Sequence, residues 1–324
     1  MLEVIVKVEL SAVCGSDLHI YHGRETGLDA GTVMGHEFLG TVVEAGAAVA
    51  RFREGARVVA PFTTSCGACF YCKQGLTCRC ERGQLFGWVE QGKGLHGAQA
   101  EYVRVPLADP SLVEVPEGVP DEEALLAGDV LSTGFYCAEL GGVRPGQVVA
   151  VIGCGPVGLM GIVGALELGA EKVLAIDSVP ERLALATKLG ASPVDRSRSK
   201  PLEAVREVTE GRGADVVLEL VGSPQATRAA VDLVRPGGTI AACGVHTEAQ
   251  FAFSPVEAYD KNLTYRAGRC PARHYAERML ELLASRKYPV GEILTHRMKL
   301  EEGPAAYEMF AARRGGCVKA ILSP

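Results

Sequence analysis

The stretch VVAVIGCGPVGLMGIVGALELGAEKVLAID, residues 148–177, decides the fold. Its first five residues are uninterruptedly apolar, as in a strand buried on both faces of a parallel sheet. Gly153, Gly155 and Gly158 follow as G-x-G-x-x-G, with Pro156 and Val157 between the last two, and the helix they open runs to Gly169. In such a turn the first glycine permits the bend, the second lets a pyrophosphate approach the backbone, and the third lets the helix pack on the strand. The unpaired N–H groups and positive dipole end of the helix favour an anion there. A second strand, KVLAID, ends at Asp177, whose carboxylate can accept from both hydroxyls of an adenosine ribose and repel a 2′-phosphate. The unit therefore predicts a dinucleotide site and NAD rather than NADP.

The β-α alternation continues outward with PERLALATKLG, ADVVLELVG, QATRAAVDLV and GTIAACGV, which implies a doubly wound sheet. Upstream, residues 1 to about 115 hold short β-like runs punctuated by Gly, Pro and Cys, which reads as an irregular β lobe. DEEALLAGDVLSTGFYCAEL, residues 121–140, has helical spacing from an acidic first turn. Near the end, ARHYAERMLELLAS reads as a helix, and the tail closing on VKAILSP is too short to stand alone. The fold class is α/β, with domains at 1–128 and 129–268 and a return to the first domain over 269–324.

Within the β lobe, Cys66, Cys69, Cys72 and Cys80 fall as C-x2-C-x2-C-x7-C. Four thiolates so spaced can wrap one tetrahedral ion with no open position, which marks a structural zinc. Cys78 is a spare inside the last interval. A disulfide framework fits poorly, because the chain is long and apolar and its start, MLEVIVKVEL, is charged throughout. Eleven cysteines suit a reducing compartment, so the cytoplasm is expected. Net charge is −6 with scattered basic residues, which argues against nucleic acid and membrane surfaces as partners.

A second set of donors is dispersed: Cys14 in CGSDLH, His36 and Glu37 in MGHEFLG, and Asp129 in AGDVLSTG. Spacing alone does not bring them together, and each taken singly reads as an ordinary buried residue. His22, His96, His246, His274 and His296 have no identifiable partner in the sequence.

Taken together, CGSDLH, GHEFLGTVVEAG, the cysteine quartet, LSTG, GCGPVG and Asp177 resemble the zinc-dependent medium-chain dehydrogenase/reductase family of the alcohol dehydrogenase type, over nearly the whole chain. The resemblance implies a GroES-like catalytic domain and a Rossmann domain. It also implies that Cys14, His36 and Asp129 bind a catalytic zinc, giving two zinc ions per chain. Many relatives carry Cys where this chain has Asp129. Thiolate plus carboxylate still balances Zn2+, and the harder oxygen donor leaves the metal more electrophilic. By the same resemblance, a substrate hydroxyl takes the open zinc position and hydride passes to the nicotinamide. Ser16 and His19 then relay the proton, Asp17 buttresses His36, and Glu37 serves as an outer carboxylate or a transient ligand.

Further carry-over assigns Arg182 to the adenosine ribose, Thr133, Gly244 and Val245 to the nicotinamide, and Lys319 to the pyrophosphate. The implied activity is an NAD-linked oxidation of an alcohol or polyol by a homodimer or homotetramer, with NLTYRAG as a candidate edge for pairing. Two alternatives stay open: a specialised aldehyde-acting enzyme such as a formaldehyde dismutase, and a non-catalytic zinc and nucleotide protein. Relatives carry further residues before the segment matching VIVKVEL, so a lobe without them is expected to expose apolar surface and an unpaired strand edge.

Overall fold

The structure, a computed structural model, describes residues 2–324, in two compact units. The first comprises the described residues up to 132, with 271–287 and 294–324, and the second residues 133–270 and 288–293. The division differs from the expected one in three places, the smallest being a return at 271 instead of 269. The first crossing falls at 132/133, inside a helix, so Asp129 belongs to the first unit, and residues 288–293 join the second unit rather than returning with the rest of the tail.

In chain order, the first unit contributes β1 (Glu3–Ala12), β2 (Phe38–Ala45), β3 (Arg57–Ala60), β4 (Trp88–Glu90), β5 (Lys93–Leu95), β6 (Tyr102–Pro106) and β7 (Val113–Glu114). The second contributes β8 (Val148–Ile152), β9 (Lys172–Asp177), β10 (Ser192–Asp195), β11 (Ala214–Glu219), β12 (Val234–Ala242) and β13 (Thr264–Ala267). The chain then returns to the first unit through β14 (Leu294–Lys299) and β15 (Lys319–Ser323).

In the first unit the strand order is β14-β15-β1-β2-β3-β7, with β6 also on β1, while β4 and β5 form a separate hairpin. Alternate residues of β1 (Val4, Val6 and Val8) point inward and pack with Phe38, Val42, Phe52 and Phe86, the period of two that a half-buried strand requires. β1 has neighbours on both sides, β2 along one and β6 with β15 along the other, so the expected unpaired edge does not fall on it.

All six strands of the second unit run parallel in the order β10-β9-β8-β11-β12-β13. The chain winds one way from β8 to β10 and then restarts on the other side of β8, which is the doubly wound arrangement with its switch point beside β8. β8 is buried at every position, as its apolar run requires. β10 and the helix Pro201–Val208 had no counterpart in the sequence reading, because neither segment is long or strongly apolar.

The segment 121–140 forms two helices, Asp121–Leu126 and Val130–Leu140, rather than one. Gly128 lies at the break, where the chain crosses β3 so closely that a Cβ would sit 2.3 Å from the Ala60 carbonyl oxygen. That contact interrupts the helix and turns Asp129 toward the end of the sheet.

Candidate functional site

Three remote segments meet because of strand register. Ser11 on β1 pairs with Phe38 on β2, and Phe38 pairs with Ala60 on β3. Cys14 leaves the end of β1, His36 and Glu37 enter β2, and Asp129 follows Gly128 over Ala60. The four donors therefore collect at one end of the sheet, with a ligand atom of each within 4.8 Å of the others. Asp129 Oδ2 lies 3.6 Å from Cys14 Sγ and 3.3 Å from His36 Nε2. A tetrahedral zinc with bonds of about 2.0–2.3 Å requires donor separations of roughly 3.3–3.8 Å, so this set fits the ion.

Charge supports the same fit. Burial tends to discharge the His36 imidazole, but Asp17, Cys14 and Asp129 outweigh it and hold the ring well above its ordinary range. Burial together with the Asp129 and Glu37 carboxylates pushes the Cys14 thiol up. So much negative charge in a dry site is what a divalent cation neutralises.

Asp17 is buried and bridges two ligand segments. Its Oδ2 accepts the Cys14 backbone N–H at 2.9 Å, and its Oδ1 lies 3.2 Å from His36 Nδ1. Fixing the proton on Nδ1 leaves Nε2 as the ligand atom. Ser16 Oγ lies 3.3 Å from that Nε2. His19 follows one turn later on the short helix Asp17–Tyr21; its Nδ1 is buried without a hydrogen bond, and burial lowers its pKa. Among the described residues no side-chain hydrogen bond joins Ser16 to His19.

Lys319, expected at the pyrophosphate, has its side chain wholly buried. β15 pairs with the end of β1, which carries Lys319 beneath Cys14 and His36. There its Nζ donates to Glu37 Oε1 and, at 3.1 Å, to the Val13 carbonyl. Burial works to discharge Lys319, but Glu37, Cys14 and Asp129 outweigh it and keep the ammonium charged. Glu37, also fully buried, has its second oxygen unpaired.

The cysteine quartet is built locally. Cys66, Cys69, Cys72 and Cys80 each bring a sulfur within 4.8 Å of the others, and Cys78 is not in this group. None of the four forms a disulfide. The sulfurs of Cys69 and Cys80 are 4.0 Å apart, near the roughly 3.8 Å edge expected of a tetrahedron of four zinc–sulfur bonds. Backbone N–H groups aim at the sulfurs: Cys66 N and Arg82 N donate to Cys80 Sγ at 3.2 and 3.4 Å, and Cys69 N to Cys66 Sγ at 3.3 Å. Backbone hydrogen bonds from Cys72 and Glu81 lower the Cys69 thiol to about 6, whereas burial and the neighbouring thiols raise Cys72 to about 12. A nest of N–H groups around clustered sulfurs suits thiolates holding a cation.

In the second unit the glycine turn is as tight as its motif demands. Gly153 has φ +86°, and a Cβ on Gly158 would sit 1.7 Å from the Gly153 carbonyl oxygen. Pro156 opens the helix Pro156–Glu167 after Gly155, where a Cβ would meet nothing nearer than the Arg182 guanidinium at 3.9 Å. Asp177 is buried and ties down the backbone around it. Its Oδ2 accepts from Cys154 N at 2.7 Å, and its Oδ1 from Ser178 N at 2.7 Å and Val179 N at 3.0 Å. A carboxylate has about four acceptor positions, so capacity remains for a hydroxyl. Arg182 Nη1 lies 3.7 Å from Asp177 Oδ2, which brings the two residues of the expected ribose site together. Gly244 and Val245 pack against Val221 and Gly222, and Thr133 lies in the first turn of the helix Val130–Leu140.

Two functional candidates escaped the sequence reading. Glu219, at the end of β11, is fully buried and paired with His246 at 2.7 Å. The available signal was an acid closing an otherwise apolar strand. His96 Nδ1 accepts from Val33 N at 3.1 Å and is accounted for by that loop contact.

Comparison with known proteins agrees with this geometry. Residues 2–117 match the family description "Alcohol dehydrogenase GroES-like domain", and residues 156–285 match "Zinc-binding dehydrogenase". The chain is 44% identical over 320 residues to zinc-type alcohol dehydrogenase B of Aspergillus flavus, covering 96% of this chain and 73% of that protein. It is 52% identical over 266 residues to the medium chain reductase/dehydrogenase ucsI of an Acremonium species, covering 80% of this chain and 89% of that protein. Among solved structures, alcohol dehydrogenase TADH from Thermus sp. ATN1 superposes with a TM-score of 0.93 at 42% identity, covering 99% of this chain and 92% of that one.

Proposed function

Because the chain belongs to the zinc-dependent medium-chain dehydrogenase/reductase family, we propose that it oxidises a small alcohol or polyol with NAD as hydride acceptor, and runs the reverse reduction of the carbonyl. The observation that carries this reading is the convergence of Cys14, His36 and Asp129 on one tetrahedral set from three remote segments. Zinc held there would supply a Lewis acid for the substrate oxygen, and the nicotinamide would take up the hydride.

The chain's own residues do the rest. Asp17 holds His36 in the tautomer that leaves Nε2 available, and a turn of side chain away Ser16 offers a hydroxyl to the substrate oxygen. Ser16 and His19 are the residues that would take up the substrate proton and pass it outward. Glu37, anchored by Lys319, keeps a negative charge beside the ligand set. Asp177 and Arg182 hold the adenosine ribose, and the glycine turn holds the pyrophosphate. The cysteine quartet would bind a second, structural zinc that orders the loop 66–80. Thiolate ligands of this kind need a reducing compartment, for which the cytoplasm is the natural candidate; among the described residues no helix is long and apolar enough to cross a membrane.

Self-association through β13 is part of the proposal. That strand ends the second sheet, and Phe251, Val256 and Tyr259 are exposed in the segments leading to it. Sedimentation of the wild type and of Tyr259→Lys tests it.

The test of function is NADH absorbance with a panel of alcohols, polyols and aldehydes, repeated after chelation and on Cys14→Ala. Turnover that disappears in both is expected. A zinc-loaded protein with no turnover on any of them would overturn the reading.

A further inference from the structure

The carboxyl edge of the second sheet carries a pair that neither the metal chemistry nor the ribose site uses. Glu219 closes β11 with its side chain 1% exposed. Its Oε1 accepts the N–H groups of Val221 and Gly222, each at 2.9 Å, and its Oε2 lies 2.7 Å from His246 Nε2. Its backbone carbonyl accepts from Cys243 at 3.1 Å and Gly244 at 3.2 Å. A carboxylate buried this deeply persists only with its lone pairs engaged, and every donor here comes from the loops after β11 and β12. The pairing also orients the imidazole. A carboxylate only accepts, so Nε2 carries the proton, and in the neutral form of the ring Nδ1 is then an acceptor. Nδ1 makes no hydrogen bond among the described residues, and the His246 side chain is 27% exposed.

Strand order gives this pair its meaning. Asp177 ends β9, the glycine turn follows β8, Glu219 ends β11 and His246 lies beyond β12. The loops lie against one another: a Cβ on Gly153 would meet Val221 Cγ2 at 2.4 Å, and one on Gly222 would meet the Val245 carbonyl at 2.2 Å. His246 is therefore on the far side of the glycine turn from Asp177. A dinucleotide with its adenosine ribose at Asp177 and its pyrophosphate on the turn directs its other end along the loops of β11 and β12.

We infer that His246, oriented by Glu219, binds the carboxamide of the nicotinamide, its Nδ1 accepting an amide N–H. Glu219 is the positioning residue and His246 the one that touches the cofactor. The inference rests on the reading of this unit as a nicotinamide dinucleotide site.

The experiment titrates three ligands into the zinc-loaded protein: NADH; the reduced 3-acetylpyridine analogue, which keeps the carbonyl but lacks the amide N–H; and ADP-ribose, which lacks the nicotinamide. His246→Ala should weaken NADH about tenfold, the scale of one hydrogen bond, and leave the other two within about twofold. Unchanged ADP-ribose binding also reports a folded unit. His246→Asn, whose Oδ1 can accept, should keep most of the NADH affinity. Glu219→Gln presents an N–H to His246 Nε2 and reverses the tautomer, so it should reproduce the selective loss toward NADH. Equal effects of His246→Ala on NADH and ADP-ribose, or on NADH and the acetylpyridine analogue, would overturn the inference. A wild type that binds none of the three would overturn the cofactor reading itself, and that outcome is seen before any variant is made.

Discussion

The Lys319 ammonium is sealed between the Glu37 carboxylate and the Val13 carbonyl, directly under the segment that carries Cys14. Removing one partner of such a pair leaves an uncompensated charge in a dry site, and the loss is typically about 3–5 kcal/mol. Lys319→Met should lower stability to denaturant by that order. Adding Glu37→Gln should recover part of it, because the orphaned charge is then gone. Unaltered stability with a weakened affinity for NADH would instead return Lys319 to the cofactor.

The two zinc ions proposed for the two donor sets are separable by mutation. Asp129→Ala should leave one zinc per chain by elemental analysis, with the fold kept and turnover lost, since only one ligand set is disturbed. Cys69→Ala should also leave one zinc but loosen the loop 66–80, read as faster proteolysis there. One zinc in the wild type, with Cys66 freely alkylated in the native protein, would remove the structural site.

Asp17 would act on a bound metal only through His36 and the Cys14 amide, which it contacts. Loss of such an outer partner ordinarily weakens metal binding about 10- to 100-fold. Asp17→Asn should show that loss in competition with a chelator, and turnover restored by excess zinc. Affinity unchanged from wild type would mean that the ring is held by packing alone.

At Asp177 the carboxylate charge and the three backbone hydrogen bonds can be distinguished. Asp177→Gly should raise the NADP to NAD ratio of kcat/KM by removing the charge that opposes a 2′-phosphate. It also releases the N–H groups of Cys154, Ser178 and Val179, so affinity for both cofactors should fall. A ratio equal to wild type would show that the ribose is held elsewhere.

Gly128→Ala tests the helix break. The added methyl would meet the Ala60 carbonyl at 2.3 Å, so Asp129 must move. Catalytic-zinc affinity should drop by more than an order of magnitude while the cysteine quartet stays loaded. Full zinc content and activity would show that the segment relaxes without disturbing its ligand.

The residues read best from the sequence alone were those whose function is local. Cys66 to Cys80 span a single loop, and Gly153 to Asp177 span one strand–turn–helix–strand unit, so spacing and hydrophobic pattern carry the geometry almost unaided. The β-α alternation likewise disclosed the parallel sheet, because a period change from two to 3.6 is written in neighbouring residues. Tertiary structure decided everything that depends on register or close approach. Whether Cys14, His36 and Asp129 share a centre depends on Ser11 facing Phe38 and Phe38 facing Ala60. The split of segment 121–140 depends on one glycine pressed against a distant carbonyl, which helical spacing does not encode. The pairing of Lys319 with Glu37 was not legible, because its neighbours in sequence say nothing of β15 lying against β1, and only that pairing buries its charge there. Glu219 and His246 met for the same reason: contacts between loops of parallel neighbours are fixed by strand order, a property of the folded sheet and not of any short stretch of chain.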